Sequence, residues 1–186
     1  MLKRLAAALS VLLAATTSAL AHLDSVGHGS FMAGFTHPLF GLDHVLAMVA
    51  VGLWAASLGG RALWAVPLAF VAAMALGFAA ATVALPLPFV EPVILASVIF
   101  IGVMVALALP LPASGVAACV AFFALFHGHA HGGEMGEVGA LGYAGGFLAA
   151  TALLHAAGIL SGRRLFAIRI AGGLAALGGV WLAVAG

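Results

Sequence analysis

This sequence predicts an all-α fold, a polytopic membrane protein built as a six-helix transmembrane bundle, and three observations predict it. Of 186 residues, 66% are hydrophobic and only 6% charged, whereas soluble domains carry about 25% charged residues. The mean hydropathy is +1.30, too apolar for a surface that must stay dispersed in water. The apolar residues also fall into six stretches, at 31–58, 63–85, 90–109, 113–131, 139–160 and 165–185. Each is near the ~20 residues that cross the hydrocarbon core. A net charge of +1 leaves no basic patch, so nucleic acid is excluded as a partner and the lipid bilayer takes its place.

The chain opens MLKRLAAALSVLLAATTSALA. Lys3 and Arg4 precede a short apolar run that ends in Ala19-Leu20-Ala21, the small-x-small pattern of a signal-peptidase site. Residues 1–21 are therefore expected to be a removed signal peptide, with His22 opening a single transmembrane domain over 22–186. The six stretches are separated by Gly59-Gly60-Arg61, Pro86-Leu87-Pro88, Pro110-Leu111-Pro112, the Gly132 to Glu137 run, and Ser161-Gly162-Arg163-Arg164. Such short loops make successive spans antiparallel. With the N-terminus outside, the loops bearing Arg61 and Arg163-Arg164 fall inside, with Arg169 just beyond, as the retention of Lys and Arg in the cytoplasm requires. The expected location is a bacterial inner membrane with a periplasmic N-terminus.

Close helix packing in lipid favours small residues. Gly142 to Gly146 in the fifth span and Gly172-Gly173 to Gly178-Gly179 in the sixth suit it. The lone Cys119 forms no intrachain disulfide and reads as packing. No internal repeat relates the two three-span halves, so the inverted-repeat logic of many transporters is unsupported.

On this topology the acids and histidines gather at one face. His37, Asp43 and His44 lie in the outer half of the first span, Glu91 opens the third, and Phe126-His127-Gly128-His129-Ala130-His131-Gly132-Gly133-Glu134 closes the fourth. His37, Gly41, His44 and Met48 share one helical stripe; His127, His131 and Glu134 share another. Asp43 lies about 100° from His44 on an ideal helix. It reaches a common ligand only if Pro38 and Gly41 distort the helix start; otherwise it orients an imidazole or a neighbouring helix. Imidazole mixed with carboxylate suits nickel, zinc, cobalt or copper rather than magnesium or calcium. A divalent cation would also offset the cost of placing Asp43 and Glu91 near the bilayer.

HPLFGLDHVLAMVAVG in the first span, Glu91 after a proline turn, and FHGHAHGGE ending the fourth closely resemble the HupE/UreJ family of hydrogenase- and urease-accessory membrane proteins, regarded as nickel permeases. The similarity covers nearly the whole chain after residue 21, and the pairing of the two motifs makes it specific. The resemblance implies secondary transport of Ni2+, with Co2+ or Zn2+ as alternatives, no organic cofactor, no enzymatic activity, and a functional link to nickel-enzyme maturation proteins. The family's functional positions fall on His37, Asp43, His44, Glu91, Phe126, His127, His131 and Glu134. His129 stands at a variable place in the second motif.

Other residues have plainer readings beside the functional one. His37 before Pro38 and Glu91 before Pro92 also suit simple helix-end roles. His22 as a new N-terminus would join an α-amine to its imidazole, and with His28 it makes a candidate capture site at the mouth. His155, toward the inner end of the fifth span, fits a packing histidine better than an exit-side stop. Met48 and Met104 offer soft sulfur, although methionine more often fills gaps. Two other functions compete. A membrane zinc hydrolase would use the same His, Asp and Glu groups to activate water. A haem electron carrier fits less well, because carboxylates crowd these histidines.

Overall fold

The computed structural model describes residues 29–162 and 164–185. Among them are seven helices: α1 (Gly29–Phe40), α2 (Leu42–Leu58), α3 (Ala62–Thr82), α4 (Val90–Leu107), α5 (Ala113–Glu134), α6 (Ala140–Ser161) and α7 (Leu165–Ala185). The described residues contain no strand. Helices α3 to α7 are each long and apolar enough to cross a membrane, and the bent pair α1–α2 makes a sixth candidate span. The expected signal peptide, together with His22 and His28, lies outside the described residues.

The first apolar stretch differs from expectation. Instead of one helix over 31–58, the chain breaks at Gly41, and α1 turns by 84° from α2. Pro38 removes a backbone donor in the last turn of α1. Gly41 then adopts an extended conformation, φ −86° and ψ 109°, and its carbonyl accepts the first bond of α2 from the Val45 amide at 3.0 Å. The single stripe expected for His37, Gly41, His44 and Met48 is therefore overturned, since the bend falls between His37 and His44.

Helix α2 is the hub, packing on α3, α4, α6 and α7. The closest pairs are not neighbours in sequence: α3 lies along α5, α4 along α7, and α6 against both α1 and α2. Glycine makes these approaches possible. A Cβ on Gly128 of α5 would run into the Met74 carbonyl of α3, and one on Gly77 of α3 into the Leu125 carbonyl of α5. Gly52 of α2 and Gly158 of α6 meet in the same way. Gly142 and Gly146 seat α1, and Gly172 and Gly179 seat α4, as expected of small residues; Gly173 faces open space.

Large apolar side chains such as Leu76, Phe122, Leu153 and Leu177 stay exposed around the bundle, the outer surface a bilayer requires. Helices α2, α4 and α6 begin at one end of the bundle, and α3 and α5 finish there. The other end carries Arg61 and Arg164. The first is called the histidine end below, for the reason that follows.

Candidate metal centre

At the histidine end the two sequence motifs converge. The bend at Gly41 brings α1 back over the end of α5, and His37 Nε2 meets Glu134 Oε2 at 2.7 Å. Both are solvent-accessible, 32% and 46% exposed. His131, one turn deeper on α5, is wholly buried and packs edge-on against His37, with ring centroids 5.2 Å apart. One ligand atom each from His37, His131 and Glu134 lies within 4.8 Å of the others. Ligands held about 2.0–2.2 Å from a cation sit roughly 3–4 Å from one another, so a small side-chain shift closes this triad on an ion.

Beneath it the imidazoles continue inward. His44 lies 4.7 Å from His131 and 4.9 Å from His127, centroid to centroid, with the His127 ring nearly perpendicular. Phe147 stacks on His131 at 4.8 Å, and Phe70 closes the underside at 5.7 Å from His127. The rings are thus walled by aromatic carbon on the side away from the solvent.

The hydrogen bonds sort the ring nitrogens. Ser97 of α4 donates its hydroxyl proton to the Ile94 carbonyl at 2.6 Å, so toward His127 Nε2, at 2.9 Å, its oxygen must accept. His127 then carries its proton on Nε2, and its Nδ1 lone pair is free, buried and without a hydrogen-bond partner among the described residues. His44 repeats the pattern in mirror form. Its Nδ1–H donates to Asp43 Oδ1 at 3.0 Å, leaving Nε2 buried and unpartnered. Neither nitrogen of His131 has a partner among the described residues. A buried polar atom left unsatisfied costs about 1–3 kcal/mol, so four such nitrogens in one cluster call for a partner, which ordered water or a bound cation supplies.

Although the helix start is broken at Gly41, Asp43 stays outside the triad of His37, His131 and Glu134 and its carboxylate holds the His44 ring instead. Glu91 sits exposed in the first turn of α4 at the same end, outside the triad of His37, His131 and Glu134. His129 points elsewhere, its Nε2 donating to the Leu85 carbonyl in the α3–α4 loop at 2.9 Å. Phe126 packs on Phe122, away from the cluster. Met48 is fully buried a turn below His44.

Sequence reasoning missed Ser97, Phe70, Tyr143 and Phe147. Ser97 carried a usable signal as the lone hydroxyl of a helix whose other polar side chain is Glu91 in its first turn. Phe70 and Phe147 carried none, because Phe is common throughout the chain, whereas Tyr143, whose ring lies 5.8 Å from that of His37, stood out as the sole tyrosine.

The arrangement agrees with what comparison with known proteins finds. A family model described as HupE / UreJ protein matches residues 9–186. The protein named Protein HupE from Rhizobium leguminosarum bv. viciae is 45% identical over 183 residues, covering 91% of this chain and 96% of its own. No solved structure matches the chain. Both histidine motifs lie inside these matches, and the chain belongs to the HupE/UreJ family, an integral membrane protein of the hydrogenase- and urease-accessory class.

Proposed function

We propose that this chain is a permease, not an enzyme, which admits a divalent transition-metal ion, nickel ahead of cobalt or zinc, for maturation of a hydrogenase or urease. The observation that carries this reading is His131. Its imidazole is fully buried with both nitrogens unpartnered, directly below an exposed His–Glu pair and directly above two more imidazoles with a free lone pair each. An ion arriving at His37 and Glu134 exchanges part of its water for their nitrogen and oxygen atoms. It then meets neutral nitrogen ligands in a site shielded from solvent. Mixed imidazole and carboxylate donors fit Ni2+, Co2+ and Zn2+ alike, and binding limited by protonation suits a carrier that must release its cargo.

The orientation that goes with this reading places the histidine end in the periplasm and the arginine end, with Arg61, Arg164 and Arg169, in the cytoplasm of a bacterial inner membrane. Uptake of Ni2+, Co2+ and Zn2+ into proteoliposomes tests it. Saturable uptake that falls by about tenfold or more in His131→Ala is expected. Unchanged uptake in that variant overturns the reading. Tight stoichiometric metal combined with hydrolytic turnover would instead make the protein a membrane zinc hydrolase.

A further inference from the structure

The buried polar column does not stop at the cluster. On α6, Tyr143, Phe147, Thr151 and His155 recur every fourth residue and are all buried. Thr151 finds partners on α2 and α3. Thr151 Oγ1 lies 3.3 Å from Met48 Sδ and 3.9 Å from Met74 Sδ. One turn further from the histidine end, His155 is 1% exposed and has no partner for either ring nitrogen among the described residues. The Phe70 ring links the two levels, its centroid 5.0 Å from His155 and 5.7 Å from His127.

We propose that His155, with the thioethers of Met48 and Met74 and the hydroxyl of Thr151 above it, forms a second metal-binding station, separated from the outer cluster by the Phe70 ring. It rests on the permease reading and deepens it by giving the ion somewhere to go. Three features favour a ligand over packing. An imidazole with two unpartnered nitrogens is a poor filler for an apolar interior, where leucine or phenylalanine would carry no desolvation cost. Two sulfurs from different helices converge on one hydroxyl at this depth, giving softer donors than those of the outer site. Finally, Gly52 and Gly158 bring α2 and α6 together at this level: a Cβ on Gly52 would strike the His155 carbonyl, so the backbone here is held in place. An ion passing from carboxylate and imidazole to imidazole and thioether would lose its water in stages. The inner station lacks the carboxylate charge that Glu134 supplies at the mouth, which favours onward release.

The test compares Ni2+ uptake into proteoliposomes for His155→Phe, His155→Gln, the double variant Met48→Leu with Met74→Leu, and His131→Ala. His155→Phe keeps an aromatic ring against Phe70, so a packing role predicts wild-type uptake. The metal station predicts that maximal uptake falls by about tenfold in His155→Phe and His155→Gln while half-saturation stays unchanged. A smaller loss is expected in the methionine pair. Ni2+ binding at the outer cluster, measured by equilibrium dialysis on the same purified variants, should be retained, which also certifies that they fold. Should His155→Phe fail that check, His155→Gln carries the test. Wild-type uptake in the folded His155 variants, with His131→Ala inactive, overturns the second station alone. Wild-type uptake in His131→Ala as well overturns the permease reading itself.

Discussion

His127 is held in one tautomer by Ser97. The serine hydroxyl is already committed to the Ile94 carbonyl at 2.6 Å, so the 2.9 Å contact to Nε2 exists only if that nitrogen carries the proton. The consequence is a lone pair on Nδ1, the nitrogen that no other group among the described residues satisfies. Removing the hydroxyl in Ser97→Ala frees the ring to rotate and to exchange tautomers. Partners of this kind typically contribute 10- to 100-fold to metal affinity or activity, so Ni2+ uptake at low external metal should fall by at least about tenfold. Binding isotherms on purified protein would check it. An unchanged affinity would mean that His127 takes no part in holding the ion.

Asp43 and His44 make the second such pair, and they permit a graded prediction. In Asp43→Asn the side-chain carbonyl can still accept from His44 Nδ1, whose bond to Asp43 is 3.0 Å, but the negative charge is gone. Asp43→Ala removes charge and acceptor together. Uptake should therefore rank wild type above Asp43→Asn above Asp43→Ala, with protein levels in the membrane equal across the three. A charge-only role would make the two variants equivalent, and initial rates of Ni2+ uptake distinguish the cases.

Gly41 does more than end α1. A Cβ placed there would sit 3.0 Å from both Asp43 Oδ1 and His44 Nδ1, inside ordinary contact distance of the bond that orients His44. Its φ of −86° is open to any residue, so the demand for glycine is one of space. Gly41→Ala should leave the bundle intact and lower metal affinity. Gly133→Ala, on the same face of the bundle but with nothing within 4 Å of the added methyl, should behave as wild type. Tm and Ni2+ affinity measured side by side would separate a local effect on the site from a general loss of folding.

How much of this was legible in the sequence depends on which physical quantity the residues encode. Hydropathy encodes burial in lipid, and it located α3 to α7 to within a few residues: the stretch expected at 139–160, for example, forms Ala140–Ser161. It carries no information on direction, so the 84° turn at Gly41 was invisible, although Pro38 and Gly41 marked where a distortion was affordable. Helical spacing correctly set His127, His131 and Glu134 on one stripe, because α5 runs unbroken to Glu134. The same reasoning failed for His37 and His44, which reach His131 through the bend instead of through helical phase. Contacts between helices, such as that of Ser97 on α4 with His127 on the next helix, depend on how the helices are rotated and which of them pair, and loop length reports only direction. The strong α3–α5 and α4–α7 pairings were therefore beyond reach.

His129 and His131 sit two residues apart in one motif and face different surroundings, which gives the sharpest contrast available. His131 is buried with no hydrogen-bond partner among the described residues, between His37 and His44 and stacked on Phe147. His129 donates to the Leu85 carbonyl and pins the α3–α4 loop to the end of α5. His129→Ala should cost one hydrogen bond, about 1 kcal/mol of stability, and leave Ni2+ uptake within about twofold of wild type. His131→Ala removes a ring from the centre of the cluster and should abolish uptake. Transport alone does not separate a lost site from a lost fold, so the thermal midpoint of each purified variant is measured beside it. The expected pattern is a lowered midpoint with intact transport for His129→Ala, and lost transport in a folded protein for His131→Ala. Equal effects on both readouts would mean that the two histidines serve the same structural purpose, and that burial at this end of the bundle does not mark the path of the ion.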